Sequence, residues 1–91
     1  MVKARVRGNE NMSVRVLFLG PLADIAGQAE LLVDTPLDWA GLLAAVGPSV
    51  AEQLRDARVH LACGGRVLAD KTALQARDGD EVALLPPVSG G

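Results

Sequence analysis

Pro86-Pro87 fixes where the last strand of this chain must stop. The pair follows Val82-Ala83-Leu84-Leu85, an apolar run of strand length, which is opened by the turn-forming triplet Asp78-Gly79-Asp80. Proline has no backbone N–H, so a sheet ladder cannot continue through Pro86, and Leu85, the residue before it, is driven toward an extended conformation. A buried strand therefore hands the chain to a stiff exit, Pro86 to Gly91, which spans roughly 20 Å when fully extended. That exit closes on Gly90-Gly91. Two readings compete for it. Small residues at a terminus often fray. Alternatively the Gly91 carboxyl is the working group: with no Cβ, the tail can thread a narrow channel and its terminal carbonyl stays open to attack.

Ninety-one residues make one domain. Phe18 and Trp39 are the only aromatics, so the core must be aliphatic, built from Leu, Val and Ala. A single cysteine, Cys63, cannot form an internal disulfide, and a reducing cytoplasm is the expected setting. No run approaches the length of a membrane span, and the N-terminus lacks the apolar segment of a signal peptide. The net charge of −2 is unevenly spread. Residues 1–11 hold Lys3, Arg5 and Arg7 against Glu10, whereas the remainder holds six Lys or Arg against ten Asp or Glu, a net of −4. An acidic body argues against nucleic acid and suits a basic partner surface. Residues 1–11 read as a disordered extension, with a basic arm for an anionic partner as the alternative. The domain is expected over 12–85 and the extended tail over 86–91.

Along the domain, Ser13 to Leu19 is a strand with Val14, Val16 and Phe18 on one face and Arg15, Leu17 and Leu19 on the other. Gly20-Pro21 breaks it, and Leu22 to Ala26 forms a helical turn closed by Gly27. Gln28 to Val33 reads as a second strand. Asp38 caps the main helix, Leu37 and Leu42 form a hydrophobic staple, and Trp39, Leu42, Leu43 and Val46 make its apolar face. Gly47-Pro48 stops it; an earlier start capped by Thr35 is the alternative. Ser49 and Glu52 have capping-box spacing for a short helix to about Arg55. Arg58 to Cys63 and Arg66 to Leu68 are strands joined at Gly64-Gly65, and Asp70 to Ala76 contains a turn of helix.

His60 and Cys63 have no companions at ligand or catalytic spacing, so no metal site is expected and Cys63 reads as a small apolar residue. The first and last strands are the most apolar and belong at the sheet centre. One main helix covers one face of a mixed sheet, an α+β arrangement of the β-grasp, or ubiquitin-like, kind. Part of the other face must be exposed or bound to a partner.

The ending Asp78-Gly79-Asp80-Glu81-Val82-Ala83-Leu84-Leu85-Pro86-Pro87-Val88-Ser89-Gly90-Gly91 resembles that of the MoaD/ThiS family of ubiquitin-like sulfur carriers. Val14 to Gly20 and Leu22 to Gly27 resemble the family's first strand and the turn after it. The likeness covers about Met12 to Gly91, and the Pro-Pro-Val-Ser-Gly-Gly ending is closest to the molybdopterin synthase small subunit. The resemblance implies a β-grasp fold and a sulfur-donor subunit that is not itself the catalyst. In that scheme Gly91 is adenylated with ATP and Mg²⁺ by a ubiquitin-activating-type (MoeB-like) adenylyltransferase, and this chain binds no cofactor of its own. The resulting thiocarboxylate donates sulfur to cyclic pyranopterin monophosphate inside a large (MoaE-like) synthase subunit, in a heterotetramer. Pro86, Pro87, Val88, Ser89 and Gly90 form the inserted arm, and Phe18, Leu19 and Leu85 the partner interface. The family often carries aromatics where this chain has Leu19 and Leu85, and an arginine where it has Ala23. Carriers for thiamine or cysteine synthesis, a ubiquitin-like modifier forming isopeptide bonds, and a passive binding module are the alternatives.

Overall fold

The computed structural model describes residues 13–87; the expected N-terminal extension and the tail from Val88 to Gly91 lie outside the described residues. Strand β1 (Ser13–Phe18) is followed by helix α1 (Pro21–Ala26) and strand β2 (Glu30–Asp34). A short β3 (Leu37–Asp38) leads into α2 (Trp39–Val46) and α3 (Pro48–Leu54). Strands β4 (His60–Cys63) and β5 (Arg66–Val67), a 3₁₀ turn over Lys71–Ala73, β6 (Gln75–Ala76) and β7 (Glu81–Leu85) complete the chain.

Five strands form one sheet in the order β2-β1-β7-β4-β5, and β3 pairs with β6 in a separate ribbon. The two most apolar strands do sit side by side at the centre: β1 and β7 are parallel, with Phe18 opposite Leu84 and Arg15 opposite Glu81. Every other pairing in the sheet is antiparallel. Period-2 alternation sends Val14, Val16 and Phe18 of β1, Leu61 of β4, and Val82 and Leu84 of β7 to one face, where they join Leu22, Leu42, Val50 and Leu54 from the helices. No polar or charged side chain is buried among the described residues. The core is aliphatic around Phe18, as the composition requires.

Local chemistry explains the element ends. Asp38 caps α2 by accepting a hydrogen bond from Gly41 N at 2.8 Å, and Leu37 and Leu42 are both buried. Thr35 does not start the helix; it bonds Asp78 across the molecule instead. The capping box expected at Ser49 is not used: Gly47 occupies the cap position, Pro48 is the first helical residue, and no side chain bonds the first turn. Pro48, whose missing N–H costs nothing at that position, starts the helix two residues earlier than a Ser49 cap would. Gly64 and Gly65 both adopt positive φ, 62° and 84°, which is the turn that joins β4 to β5. The segment 70–76 holds its expected turn of helix as the 3₁₀ turn Lys71–Ala73, after which Gln75 and Ala76 pair with Asp38 and Leu37.

Candidate functional site

Two features meet at the C-terminal end of β7: the departure of the tail and the uncovered face of the sheet. Because β1 and β7 run parallel, Leu19 and Gly20 leave β1 beside the point where Leu85 and Pro86 leave β7. Gly20 has φ of +56°, and a Cβ built there would lie 3.4 Å from Pro86 Cγ. Glycine is needed at that position for its backbone, and its bare surface lets the proline ring pack close. On the other side of β7, Leu85 pairs with His60. Pro86 and Pro87 are half-buried, so the first step of the exit is held against the domain by β1 and β4 together.

The face away from the helices follows from the same alternation. Registers align Leu17 of β1, Ala83 of β7, Ala62 of β4 and Val67 of β5 in one row across four strands. On β2 the register places Glu30 opposite Leu17 and Leu32 opposite Arg15, so Leu32 adds an apolar group to the neighbouring row of the same face. Val67 is 57% exposed, Leu32 64% and Leu19 39%. The two alanines keep the middle of the row shallow, and the leucines and valine raise its margins. Arg15 and Glu81 face each other at 3.5 Å at one end, an exposed pair worth little to stability.

Leu19 and Leu85 share the parity of Leu17 and Ala83 and are both accessible, Leu85 in part. Phe18 does not: it is 3% exposed, on the Val14 and Val16 face inside the core. Strand alternation decides the difference, since an interface residue must share the parity of Leu17. The signal for Ala62 and Ala83 was the same alternation, but alanine attracts no notice as an apolar residue. Val88, Ser89, Gly90 and Gly91 lie outside the described residues.

The chemical side chains are placed elsewhere. Cys63 lies at the far end of β4, with Sγ 3.9 Å from Asp80 Oδ2. Partial burial, and then the Asp80 carboxylate, push its thiol up, away from the reactive thiolate. His60 is exposed beside Leu85 and forms no ion pair among the described residues. Among the described residues no cluster of three or more His, Cys, Asp or Glu could hold a metal. Nor is any helix there long and apolar enough to cross a membrane. What the described domain presents is a partly exposed apolar row on the sheet face away from the helices, beside the point where the chain leaves β7.

A mixed sheet with β1 and β7 parallel at its centre and helices on one side defines a ubiquitin-like β-grasp domain. The model of the ThiS family matches residues 16–91, and the chain belongs to that family. A search of curated protein sequences finds no match. Among solved structures, the crystal structure of small archaeal modifier protein 1 from Haloferax volcanii is similar, with 32% identity and a TM-score of 0.62 over 87% of this chain and 99% of that one. A complex of subunits 1 and 2 of the molybdopterin-converting factor from Helicobacter pylori is similar at 27% identity and a TM-score of 0.61, over 88% of this chain and 100% of that one. The Haloferax volcanii HVO 2177 protein matches at 25% identity and a TM-score of 0.69, over 88% and 87%.

Proposed function

We propose that this chain is a cytoplasmic sulfur carrier for molybdopterin synthesis, with Gly91 as the carrying residue. The observation that bears most weight is the parallel β1–β7 pair, which delivers Pro86-Pro87 past the edge of an exposed apolar face. A partner seated on Leu17, Leu32, Ala62, Val67, Ala83 and Leu85 would receive the tail without further search. The similarity to the Helicobacter pylori two-subunit complex supports a partner of that kind.

The chemistry follows from the carboxylate. Its delocalised charge makes Gly91 a poor electrophile. A MoeB-like adenylyltransferase, using ATP and Mg²⁺, joins a carboxylate oxygen to the α-phosphorus and releases pyrophosphate. A sulfur nucleophile then attacks the acyl carbon, the bond to the AMP oxygen breaks, and a thiocarboxylate remains. In a MoaE-like large subunit the sulfur of this soft anion bonds to a carbon of cyclic pyranopterin monophosphate, displacing an oxygen substituent there. Water then cleaves the acyl C–S bond, leaving sulfur on the substrate and a carboxylate on Gly91. Gly90 keeps the approach slim, and Pro86 to Ser89 form the arm. The domain itself supplies binding and reach, and the partners supply catalysis.

A second reading has its own support, the 32% identity to an archaeal modifier protein. In that reading the same adenylate on this chain ends in an isopeptide bond to lysines of other proteins. Intact mass after incubation with ATP, the activating enzyme and a sulfur donor separates the two. Replacement of one oxygen by sulfur on Gly91 is the expected result. A covalent ladder on other proteins with no such change would favour the modifier. Deleting Gly91 is expected to abolish sulfur transfer and leave thermal unfolding unchanged; full transfer by the truncated chain would end the carrier reading.

A further inference from the structure

An acyl-adenylate at Gly91 is an acyl donor, and an amine within reach competes for it. Resting on the carrier reading, we infer that the fold withholds the chain's one domain lysine, Lys71, from its own activated tail, so that acyl transfer is directed outward. The chain has two lysines, Lys3 and Lys71, against seven arginines. A guanidinium stays protonated and is no acyl acceptor at neutral pH. Lys71 is therefore the amine that matters on the domain.

It also lies near the tail. Lys71 Nζ donates to the backbone carbonyls of Val59 and Asp56 at 2.7 and 2.6 Å. Val59 precedes His60, and His60 pairs with Leu85, the residue from which the tail departs. A tail that spans roughly 20 Å when extended can reach back over that distance. Attack by a free amine would form an amide between Nζ and the Gly91 carbonyl carbon. The bond to the AMP oxygen would break, AMP would leave, and the amine proton would pass to solvent. A carrier closed on itself in this way is spent.

The structure opposes this at the nucleophile. Two carbonyls hold the ammonium, and the Trp39 ring lies 6.0 Å from it, within cation–π range. Lys71 must break both hydrogen bonds and leave the ring before it can meet an acyl carbon. The same contacts tie the 3₁₀ turn to the loop after α3, so the amine is held by the fold. Cys63, the other strong nucleophile of the domain, sits at the opposite end of β4 from the tail.

The test uses the full chain and a water-soluble acetylating ester. Peptide mass spectrometry should show Lys71 acetylated at least about tenfold more slowly in the folded chain than in urea, as loss of two hydrogen bonds requires, while Lys3 changes little. Equal rates at Lys71 in both states would overturn the inference. In a second arm the chain is incubated with its activating enzyme and ATP but no sulfur donor. Any self-conjugate should map to Lys3 or the α-amine, and a Gly91–Lys71 isopeptide would overturn the inference. The acetylation arm needs no activation, so a chain that is never adenylated fails the carrier reading while leaving the protection of Lys71 measured.

Discussion

Val82 and Ala83 are neighbours in β7, yet they serve opposite faces of one sheet. Val82 is fully buried among Val14, Leu61 and the helix leucines. Ala83 lies in the uncovered row between Leu17 and Ala62. The covered face is dense and aliphatic and holds no polar side chain among the described residues. The open face mixes small and large apolar groups with Arg15, Glu81 and His60. The first kind of surface specifies the fold; the second is what a partner can bind without disturbing it. One step along a strand separates stability from function.

The sharpest way to break this contrast is to place the same charge on both faces. Val82→Asp is expected to cost on the order of 5 kcal/mol, comparable with the whole stability of a domain this size, and to abolish cooperative unfolding in urea. Ala83→Asp should keep a cooperative transition and lose partner binding in a pull-down with the large subunit. A softer pair comes next. Leu61→Ala should cost roughly 2–5 kcal/mol through the cavity it leaves. Leu32→Ala, at a 64% exposed position, should stay within about 0.5 kcal/mol by thermal melt. Equal losses would show that the open face is part of the core.

Gly20→Ala tests the seam between the faces. It forces alanine into a positive φ and should cost roughly 1–2 kcal/mol, with slower sulfur loading if Pro86 is displaced. The smallest effect lies far from both faces, at Asp56. Hydrogen bonds from the Arg58 side chain, and then from its backbone, hold the Asp56 carboxyl down to about 2, from an ordinary value of 3.8. A depressed carboxyl stabilises the fold above its unfolded value and loses that contribution as pH falls through its folded one. Asp56→Asn should therefore flatten the decline in melting temperature between about pH 4 and pH 2. An unchanged acid limb would show that the exposed pair contributes nothing.

What was legible in the sequence depended on how much chain each signal occupied. β1 and β7 carry enough alternating or apolar residues to declare themselves, and Asp38 announces its helix three residues ahead of the N–H it binds. β3 and β6 have two residues each, too few for any period, and form only because each finds the other. At Gly47-Pro48-Ser49 two start signals overlapped, and the proline prevailed over the capping box because its φ is already helical. The family resemblance assigns Phe18 to the interface, whereas parity with Val14 and Val16 places it in the core. The fixed position of Lys71 arises from backbone carbonyls that no side-chain pattern reveals.

The place of β7 in the middle of the sheet has a consequence for how this chain is made. Without Glu81–Leu85, β2-β1 and β4-β5 are two hairpins with no shared edge. Synthesis yields those hairpins and the helices between them first, and the two halves of the sheet share no edge until the final strand emerges and joins them. The residues that complete the fold are thus the ones directly attached to the tail. A product cut short before Glu81 cannot fold, and is left to the proteases that clear open chains. Tail-less copies of that kind would never accumulate to occupy a partner as inert competitors.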